Sequence, residues 1–599
     1  MRSKVKAWPC LSLDIETDVE TGEIVTVQFG TKDIQFIIAV DEVDPTPYLN
    51  LLKTRLIIGH NLKFDLLQIR KKWGISYRYV FDTMLAAQIL EKNPTKKDKA
   101  GRYSLANQVQ KLVDPYAYTS QGNLFRPYVT KQIRTSFKSG VELTKEQLFY
   151  AAMDVEYTHR LYLKQFPILE NEDLLDVTKL ENDSLLWILE IEYNGIPIDQ
   201  VEWMKLNDFS RDKVNEYLTK LNTYVANPIN WNSPKQVLPI FNEFGINTTV
   251  FDKKTMELKE SVDSKALSKY KEVYPILEDY LSYKKWSKYA STYGEKFLSH
   301  VNPDTGRIHT SIWQIVDTGR TSSNNPNLQN IPKEKEYRTC FKAPEGRTFI
   351  VADFSNQEAR IAADKSKEEG WIKAFKANRD IHLETAILMF KEDMSKEDSR
   401  RHIAKTYNFL TLFGGGAANA AERFQIPLVE ARRLQSIYFE SLPALKKYLD
   451  DSSIEPLKVG YLVTDDYSKR KIYLPNFEIY KFCENHIRYF RSMGWDPYQT
   501  ILDEYRYLKS KYQRICQNWP IQGSGAVMSK LAGIYLLQVL QARPNLFKIL
   551  HLVHDELIIE CDVADAQECK LILEDCMLRA SRKICRELDV PAEGKISST

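Results

Sequence analysis

Acidic residues form two groups that lie far apart in this chain, and folding must bring the members of each group together. Carboxylates that cluster repel one another unless cations neutralise them. Oxygen ligands of this kind suit hard divalent metals. The groups are Asp14, Glu16, Asp65 and Asp154 in the N-terminal part, and Asp353, Asp555 and Glu556 in the C-terminal part. The sequence therefore predicts two metal sites, each assembled from distant segments.

Length and composition predict a protein of several domains. A chain of 599 residues is too long for one hydrophobic core, and 43% hydrophobic with 27% charged residues is ordinary for a soluble globular protein. The longest apolar runs, such as 36–40, are too short to span a bilayer, and no apolar signal core follows Met1. We therefore expect a cytoplasmic protein without a membrane partner.

Net charge and cysteine spacing exclude two further classes. A formal charge of +3 is not that of a histone-like binder, so any polyanion must be held by local basic clefts. The eight cysteines form no CxxC pair and no zinc spacing with the nine histidines. We expect reduced thiols that mostly serve packing.

The N-terminal acids occur in three motifs whose order fits a metal-dependent nuclease. Asp14 and Glu16 are two apart in a strand-like run, so their side chains share one face. Tyr150 and Asp154 are four apart in a predicted helix and also share a face. With Asp65, these groups suit two metals about 4 Å apart, one generating hydroxide and one stabilising the leaving oxygen, while Tyr150 orients the water. Each acid alone would be taken as a solvated charge or a helix cap, but the ordered set favours a nuclease.

This set resembles the DEDD superfamily of 3′–5′ exonucleases, in the subclass whose third motif is Tyr-x-x-x-Asp. The resemblance implies an RNase H-like fold for this part of the chain. A basic stretch lies between its motifs, and either a solvated loop or a strand-guiding surface accounts for it. Its residues are Lys96, Lys97, Lys99, Arg102, Lys131, Arg134 and Lys138.

Two cations and an aromatic residue lie between the C-terminal acids. Arg401, Lys405 and Phe409 are spaced i, i+4 and i+8, so they share one face of a helix. Such a face would hold a triphosphate and stack on a base. Alone, the spacing is better explained by an amphipathic surface helix, but its position between two carboxylate motifs favours nucleotide binding.

The C-terminal acids are predicted to face each other across one sheet. Asp353 ends a strand-like run, and Asp555 lies in the turn between two strand-like runs. Two metals between these aspartates would activate a primer 3′-hydroxyl and bind the departing pyrophosphate. That chemistry needs little beyond positioning and charge neutralisation.

The ordered motifs resemble those of the family-A DNA polymerases, in the bacterial DNA polymerase I class, over nearly the whole chain from Leu11. Within that family, the sequence most resembles phage-encoded members. The matching segments are 180–181, 194–199 and 232–236 (thumb entry), 302–309, 318–323 and 326–332 (palm entry), 353–360 (motif A), 401–414 (motif B), 514–523 (template-side helix) and 554–556 (motif C). The resemblance implies a multidomain α/β and α+β protein: an RNase H-like exonuclease domain, then a right-hand polymerase with thumb, palm and fingers.

The resemblance also implies a role for each matched residue. Glu358 would crowd the sugar 2′ position and exclude ribonucleotides. At the polymerase site the metal ligands would be Asp353, the Phe354 carbonyl and Asp555, with Glu556 nearby. At the exonuclease site they would be Asp14, Glu16, Asp65 and Asp154, beside Tyr150. Nucleotide contacts would be Arg401, Lys405, Phe409, Phe413, His382 and Glu358. DNA contacts would be Arg320, Gln329, Asn330, Arg360, Arg514, Asn518, Gln522 and His554, some of them in the minor groove, where fit can be checked without reading sequence.

The resemblance implies DNA synthesis from a primer 3′ end with 3′–5′ proofreading, in replication or repair. Two Mg²⁺ ions per site are expected, with Mn²⁺ as a substitute. Expected partners are primer–template DNA and deoxynucleoside triphosphates. A helicase, a single-strand-binding protein and a processivity factor are further candidate partners. The protein is expected to be a monomer. The alternatives are a single-subunit RNA polymerase and a catalytically silent DNA-binding scaffold.

Some residues depart from the family pattern. Gln357 replaces an apolar residue, Leu410 a glycine and Phe413 a tyrosine, and Gly414–Gly416 is an unusually flexible run. The aromatic and charged segment 476–511 is longer than usual, and a packing insertion is favoured over a DNA- or partner-binding element. The predicted domains are 1–170 (exonuclease), 171–300 (thumb and connection), 301–370 (palm), 371–460 (fingers) and 461–599 (palm, with the insertion).

Overall fold

The computed structural model describes residues 8–92, 101–118, 131–252 and 257–599. The chain forms two compact units. The larger unit contains 1–193, 312–322 and 350–596, and the smaller contains 194–311, 323–349 and 597–599. The division into five domains remains a prediction.

A five-stranded mixed sheet forms the N-terminal part of the larger unit, in the order β3-β2-β1-β4-β5. β1 pairs antiparallel with β2 and parallel with β4. The strands are β1 (Cys10–Thr17), β2 (Ile24–Gly30), β3 (Gln35–Ala39), β4 (Leu56–Gly59) and β5 (Val80–Asp82). The helices are α1 (Thr46–Leu52), α2 (Leu62–Trp73), α3 (Thr83–Ile89), α4 (Leu105–Leu112), α5 (Lys131–Arg134), α6 (Lys145–Asn171) and α7 (Leu175–Asn194).

Alternation along β1 separates core side chains from site side chains. Leu11, Leu13 and Ile15 are buried in one hydrophobic cluster, which also contains Leu185 of α7. The intervening residues point to the opposite face of the sheet. Helix α6 packs against β1 on the sheet and carries Tyr150 and Asp154.

The smaller unit is mostly helical, with its own core around Trp231, Phe241 and Tyr280. Asp199 caps the first helix by accepting hydrogen bonds from the N–H groups of Val201 and Glu202, both at 3.1 Å. Its helices are α8 (Gln200–Asn222), α9 (Pro234–Glu243), α10 (Ser264–Leu267), α11 (Pro275–Thr292), α12 (Glu295–Leu298) and α13 (Lys335–Thr339). Its strands are β6 (Ile196–Pro197), β7 (Thr249–Asp252), β8 (Glu257–Glu260), β9 (Val301–Asn302) and β10 (Arg307–Ile308).

A second sheet, in the order β16-β17-β13-β18, carries the C-terminal acids. β16 and β17 form an antiparallel hairpin, as the sequence predicts. The remaining strands are β11 (Ser311–Trp313), β12 (Ser322–Asn324), β13 (Arg347–Phe354), β14 (Tyr461–Val463), β15 (Lys471–Tyr473), β16 (Phe547–Val553), β17 (Glu556–Asp562) and β18 (Ala592–Ser597).

Eleven helices complete this part of the larger unit, and all except α21 and α22 contribute to one large hydrophobic core with the sheet. The helices are α14 (Gln357–Ser366), α15 (Glu369–Lys376), α16 (Ile381–Phe390), α17 (Ser399–Leu412), α18 (Ala417–Phe424), α19 (Leu428–Ser441), α20 (Pro443–Asp451), α21 (Pro456–Val459), α22 (Phe477–Ser492), α23 (Gln499–Ala542) and α24 (Ala566–Ile584).

Helix α23 is 44 residues long and forms the central helix of this core. A Cβ atom at Gly533 would lie 2.4 Å from the ring of Trp187, so only glycine permits this contact with α7. By length and composition α23 could cross a membrane, but 72% of its apolar window is buried inside the protein, as in a core helix. All eight cysteines are free thiols, and every one except Cys10 is buried.

One face of the predicted insertion packs inward. Tyr480 of α22 and Leu508 and Tyr512 of α23 are almost fully buried, in a cluster with Leu462 and Ile472. Tyr512 also donates a hydrogen bond to the carbonyl of Pro475 at 2.8 Å. The packing interpretation therefore holds for this face of 476–511.

Candidate functional site

The four N-terminal acids meet at one face of the first sheet. One carboxylate oxygen from each of Asp14, Glu16 and Asp154 lies within 4.8 Å of the others. Asp65, in the first turn of α2, accepts a hydrogen bond from the N–H of Ile15 at 3.1 Å. Strand β1 supplies the first pair, α6 supplies Asp154, and α2 supplies the fourth carboxylate, so the predicted set is brought together.

Burial raises the pKa of all four carboxyl groups, and repulsion by neighbouring acids adds to this for Asp14, Glu16 and Asp65. Burial, followed by the charge of Asp154, raises the pKa of Asp14 to about 8. Burial raises the pKa of Asp154 to about 6. The pKa values of Glu16 and Asp65 lie well above their usual range, mainly because of burial and then of Asp14. A compensating cation would favour ionisation of this crowded set, so the donors fit divalent metal ions.

Tyr150 lies one turn before Asp154 on α6 and is nearly fully buried. Its hydroxyl forms a hydrogen bond with Asp154. Burial, with the charge of Asp154 as the next cause, raises the pKa of this phenol. Tyr150 therefore keeps its proton and can donate it in a hydrogen bond beside the acids.

Sequence reasoning missed two polar partners of these acids. Gln28 lies directly opposite Asp14 in the β1–β2 ladder and donates to its Oδ2 at 2.6 Å. The Tyr118 hydroxyl donates to Asp154 Oδ1 at 2.6 Å. Strand pairing could have revealed Gln28, whereas Tyr118 comes from a loop with no periodic signal.

The residues of the basic stretch between the exonuclease motifs lie in different environments. Arg134 lies close enough to lower the pKa of Asp14 and Asp154 by its charge. Arg102 pairs with Glu91 at 2.8 Å, and Lys138 pairs with Glu20 at 2.7 Å. Lys96, Lys97, Lys99 and the side chain of Lys131 lie outside the described residues, so the choice between a solvated loop and a strand-guiding surface stays open.

The C-terminal aspartates lie at adjacent strand ends of the second sheet. Asp353 is the penultimate residue of β13, and Asp555 lies in the turn between β16 and β17. The N–H of Phe354 donates to the carbonyl of Asp555 at 3.4 Å. Burial, then the charges of Asp555 and Glu556, raises the pKa of Asp353 to about 6. The strand ends thus bring together a second carboxylate set that fits a divalent metal.

Arg320 and Glu358 form an ion pair beside this second set. The guanidinium donates to Glu358 Oε1 at 2.7 Å. Burial raises the pKa of Glu358, the charge of Arg320 lowers it, and the charge of Asp555 raises it further. Glu358 therefore lies within electrostatic reach of the C-terminal acids.

The segment that carries Arg320 is anchored by a buried charge network, which sequence reasoning also missed. The carboxylate of Glu181 accepts hydrogen bonds from Arg470, from Lys530 at 2.5 Å and from Gln314 at 2.6 Å. Lys530 also donates to the carbonyl of Gln314 at 3.0 Å. These contacts hold the backbone six residues before Arg320.

The predicted helical spacing of Arg401, Lys405 and Phe409 is correct, since all three lie on α17. Lys405 and Phe409 are exposed, and the Phe409 ring lies 6.4 Å from that of Phe413. The ring of His382, on α16, lies 5.5 Å from that of Phe409. One surface of α17 therefore presents two cations and adjoining aromatic rings.

Asp380 is a partner of this surface that the sequence analysis did not assign. Its Oδ2 accepts a hydrogen bond from Arg401 at 2.6 Å, while its Oδ1 caps α16 through the N–H groups of His382 and Leu383. The Nδ1 atom of His382 lies 3.0 Å from Nδ2 of Asn408. Burial lowers the pKa of His382 to about 4, so its imidazole is neutral near pH 7.

Several of the predicted DNA contacts have side chains that are at least partly exposed to solvent. His554 and Arg514 are exposed, and Gln522 is half-buried on α23. Gln329 and Asn330 lie in a short 3₁₀ turn of the smaller unit, Leu328–Asn330.

Arg360 and Asn518 have structural partners instead. Arg360 is 7% exposed, lies 4.3 Å from the Phe375 ring centroid and donates to the carbonyl of Asp589 at 3.1 Å. Asn518 is also buried, and its amide donates to the carbonyl of Leu412. Both side chains are thus held by protein partners, and their contact with DNA stays a prediction.

Two departures from the family pattern have glycine partners. Gln357 is buried and donates to the carbonyl of Gly525 at 3.4 Å, and a Cβ on that glycine would lie 2.4 Å from the Gln357 Oε1 atom. A Cβ on Gly415 would lie 2.9 Å from Cδ2 of Leu410. Each larger side chain thus occupies space that a glycine leaves.

Comparison with known proteins agrees with this geometry. A sequence profile described as DNA polymerase family A matches residues 202–599, and one described as 3′-5′ exonuclease matches residues 1–170. DNA polymerase I of Aquifex aeolicus is 31% identical, over 98% of this chain and 95% of the relative. DNA polymerase I of Borreliella burgdorferi is 29% identical over 95% of this chain, which spans 60% of that relative.

A solved structure shares the fold. The polymerase domain of Pol1 from M. smegmatis, in complex with DNA primer-template and dNTP, superimposes with a TM-score of 0.81 at 22% identity, over 100% of this chain and 96% of that one. The relatives are DNA polymerases rather than RNA polymerases. This chain therefore belongs to DNA polymerase family A and contains a 3′–5′ exonuclease domain.

Proposed function

We propose that Asp353 and Asp555 hold two Mg²⁺ ions at the polymerase site, with the Phe354 carbonyl assisting and Mn²⁺ able to substitute. Bound metals would lower the pKa of the primer 3′-hydroxyl and neutralise the departing pyrophosphate. Glu556 lies beside the pair and adds to its negative potential, as its effect on the pKa of Asp353 indicates. The strand ends fix both aspartates before substrate arrives.

The incoming deoxynucleoside triphosphate binds along α17 in this proposal. Lys405 is exposed and contacts the phosphates, and Arg401 reaches them after leaving Asp380. Phe409 and Phe413 offer stacked ring faces to the base, and neutral His382 can donate a hydrogen bond to a phosphate oxygen. Arg401 thus exchanges Asp380 for the triphosphate as its partner. Because Asp380 also caps α16, nucleotide binding is coupled to the N-terminal end of that helix.

Glu358 selects the sugar. Its carboxylate lies close to the C-terminal acids and is held by Arg320. A ribonucleotide 2′-hydroxyl would meet this side chain. Arg320 and the exposed His554 contact the primer–template, together with Arg514, Gln522, Gln329 and Asn330.

The N-terminal site removes a mismatched primer end. Asp14, Glu16, Asp65 and Asp154 hold the metals, which would supply a hydroxide and stabilise the leaving 3′ oxygen. Tyr150 keeps its proton and orients the attacking water. Synthesis and excision then act on the same primer terminus, in DNA replication or repair.

The observation that carries this proposal is the adjacency of Asp353, at the end of β13, and Asp555, in the turn between β16 and β17. Asp353→Asn and Asp555→Asn should each reduce primer extension about a thousandfold, because several kcal/mol of charge stabilisation is lost. Asp575→Asn, which removes an exposed carboxylate from α24, should leave extension unchanged. Retained synthesis in either site variant would overturn the assignment.

A matched pair of variants tests the second site. Asp14→Asn with Glu16→Gln should abolish trimming of a mismatched 3′ end and leave extension intact. Persistent trimming would contradict the exonuclease assignment, and an absence of both activities in the unaltered protein would support the scaffold alternative. Incorporation of ribonucleotides as fast as deoxynucleotides would instead support the RNA polymerase alternative.

The remaining parts of the proposal concern location and partners. The curated relatives named above are bacterial, so we place the enzyme in a bacterial cytoplasm, including that of a phage host. Primer–template DNA and deoxynucleoside triphosphates are the proposed substrates, and the chain acts as a monomer. A helicase, a single-strand-binding protein or a processivity factor would be an accessory to this core reaction.

A further inference from the structure

The segment 476–511 has a second face that the proposed function does not use. Phe482, Tyr489, Trp495 and Tyr498 are 62%, 57%, 55% and 63% exposed, whereas Tyr480 on the opposite face is buried. Single exposed aromatic residues are common on protein surfaces, but a contiguous set of this size marks an interaction site.

These rings contact one another at the end of the hairpin formed by α22 and the start of α23. The rings of His486 and Phe490 are stacked with centroids 4.3 Å apart, and Phe490 contacts Trp495 at 5.8 Å and Tyr498 at 5.4 Å. The N–H of Trp495 donates to the carbonyl of Phe490 at 2.9 Å, which fixes the connection. We call this set the aromatic tip: Phe482, His486, Tyr489, Phe490, Trp495 and Tyr498. Its rings already contact one another without a ligand, which lowers the entropy cost of arranging them for binding.

Positive charge borders the aromatic tip. Residues 481–498, which span the tip, contain Lys481, Arg488 and Arg491 and the acids Glu484 and Asp496. Arg488 is 73% exposed and lies 3.8 Å from Glu484, which already has Lys481 at 2.8 Å. Arg491 is exposed and makes no ion pair within the described ranges. Arg491 and the loosely paired Arg488 therefore offer two cationic groups beside the rings, and an anionic ligand could use both.

The aromatic tip and the proposed template-side residues are connected by one helix. Helix α23 begins next to Tyr498 and carries Arg514 and Gln522 further along. At 1.5 Å per residue, Tyr498 and Arg514 are about 24 Å apart along the helix axis. One rigid element thus joins the tip to the surface proposed to hold the template.

We propose that the aromatic tip binds the single-stranded template before it enters the polymerase site. Bases stack on the exposed rings, and Arg488 and Arg491 contact phosphates, which is how proteins hold single strands without reading their sequence. This inference rests on the proposed template-side role of Arg514 and Gln522. A protein partner would also cover aromatic rings, but the arginines and the shared helix favour DNA.

The test compares two primer–templates that share one duplex and differ only in the template 5′ overhang, which is about 2 or about 20 nucleotides of thymidine. The unaltered protein should bind the long overhang more tightly. Trp495→Ala with Tyr498→Ala should weaken binding of the long overhang about tenfold or more, since each base–ring stack is worth roughly 1–3 kcal/mol. Binding and extension of the short overhang should change less than about twofold.

Two further variants separate stacking and charge from folding. Tyr507→Ala removes another exposed ring of α23 outside the aromatic tip and should leave both affinities unchanged. Arg488→Gln with Arg491→Gln should reduce the slope of log Kd against log salt by about 1.4 on the long overhang, for two phosphate contacts on a single strand.

Three outcomes would overturn the inference. One is equal affinity of the unaltered protein for both overhangs. Another is an unchanged overhang preference in the Trp495→Ala, Tyr498→Ala variant, which would indicate that the tip binds a protein partner rather than DNA. The third is an equal loss on both overhangs, which would make the tip a structural element. Failure of the proposed polymerase function would appear separately, as no extension of the short-overhang substrate by the unaltered protein.

Discussion

Arg320 donates a hydrogen bond to the carboxylate of Glu358 across an N–O distance of 2.7 Å. The two side chains are 27% and 18% exposed, so water screens the pair only in part. The pair joins the residue proposed to exclude ribonucleotides to a residue proposed to contact the primer–template. We therefore expect sugar selection to depend on the shape of Glu358 and on its attachment to Arg320.

Glu358→Ala should weaken discrimination against ribonucleotides. Removing the side chain opens space for a 2′-hydroxyl, and steric exclusion of one small group is worth about 1–3 kcal/mol. The ratio of kcat/KM for a deoxynucleotide to that for the matching ribonucleotide should fall about 10- to 200-fold in single-nucleotide incorporation. Glu358→Gln, which keeps the shape, should retain most of the discrimination. An unchanged ratio in the alanine variant would contradict the role of Glu358.

Tyr118→Phe should slow excision and leave synthesis unchanged. The hydroxyl of Tyr118 donates to Asp154 at 2.6 Å and lowers the pKa of that carboxyl against the effect of burial. Without this hydrogen bond Asp154 holds its proton more tightly and binds metal less well. Loss of such a partner costs about 10- to 100-fold in metal affinity or activity.

A metal titration of mismatched-end excision measures this effect. The Tyr118→Phe variant should need a higher metal concentration for half-maximal excision. Tyr79→Phe, at a tyrosine that is 58% exposed, is the matched control and should behave like the unaltered protein. Equal metal requirements in the two variants would show that Tyr118 does not support the site.

Sequence reasoning grouped several site residues correctly because strand and helix periods determine which side chains share a face. Asp14 and Glu16 follow the two-residue repeat of a strand, and Arg401 and Lys405 follow the four-residue spacing of a helix. These relationships are local, so they do not depend on how the rest of the chain folds.

Contacts between distant segments could not be found in this way. Glu181 and Lys530 meet only because α7 and α23 pack together. Arg360 shares α14 with Glu358, yet its side chain lies over Phe375 rather than toward solvent. A motif identifies the residue type at a position, whereas burial and partners depend on tertiary packing, which a single sequence does not reveal.

Metal-free protein should lose stability as the pH rises toward 8. The pKa of Asp14 is about 8 in the folded protein and 3.8 ordinarily, so the folded state keeps a proton that the unfolded chain releases. The stabilisation is therefore complete below pH about 4 and is lost as the pH rises through about 8. The pKa values of Glu16 and Asp65 are raised as well and act in the same direction.

Thermal unfolding in a chelating buffer at several values between pH about 5 and 8 tests this sign. The Tm should fall with pH, and a divalent cation should restore it at the high end. Asp14→Asn should flatten the dependence, whereas Asp33→Asn, at an exposed acid paired with Lys32, should retain it. A Tm that rises across this range without metal would contradict the raised pKa values.

Glu181→Ala should be among the most destabilising single changes in the larger unit. The carboxylate is fully buried and accepts hydrogen bonds from Arg470 and Lys530, whose side chains are 7% and 1% exposed. Its removal leaves two buried cations beside each other without an anion, and breaking a buried pair costs about 3–5 kcal/mol. Denaturant unfolding should show a loss of that size. Glu568→Ala, which breaks an exposed pair with Arg543, should cost less than about 1 kcal/mol. Similar losses in the two variants would mean that burial does not isolate Glu181 from water, and the Arg320 segment would then lack the anchor inferred for it.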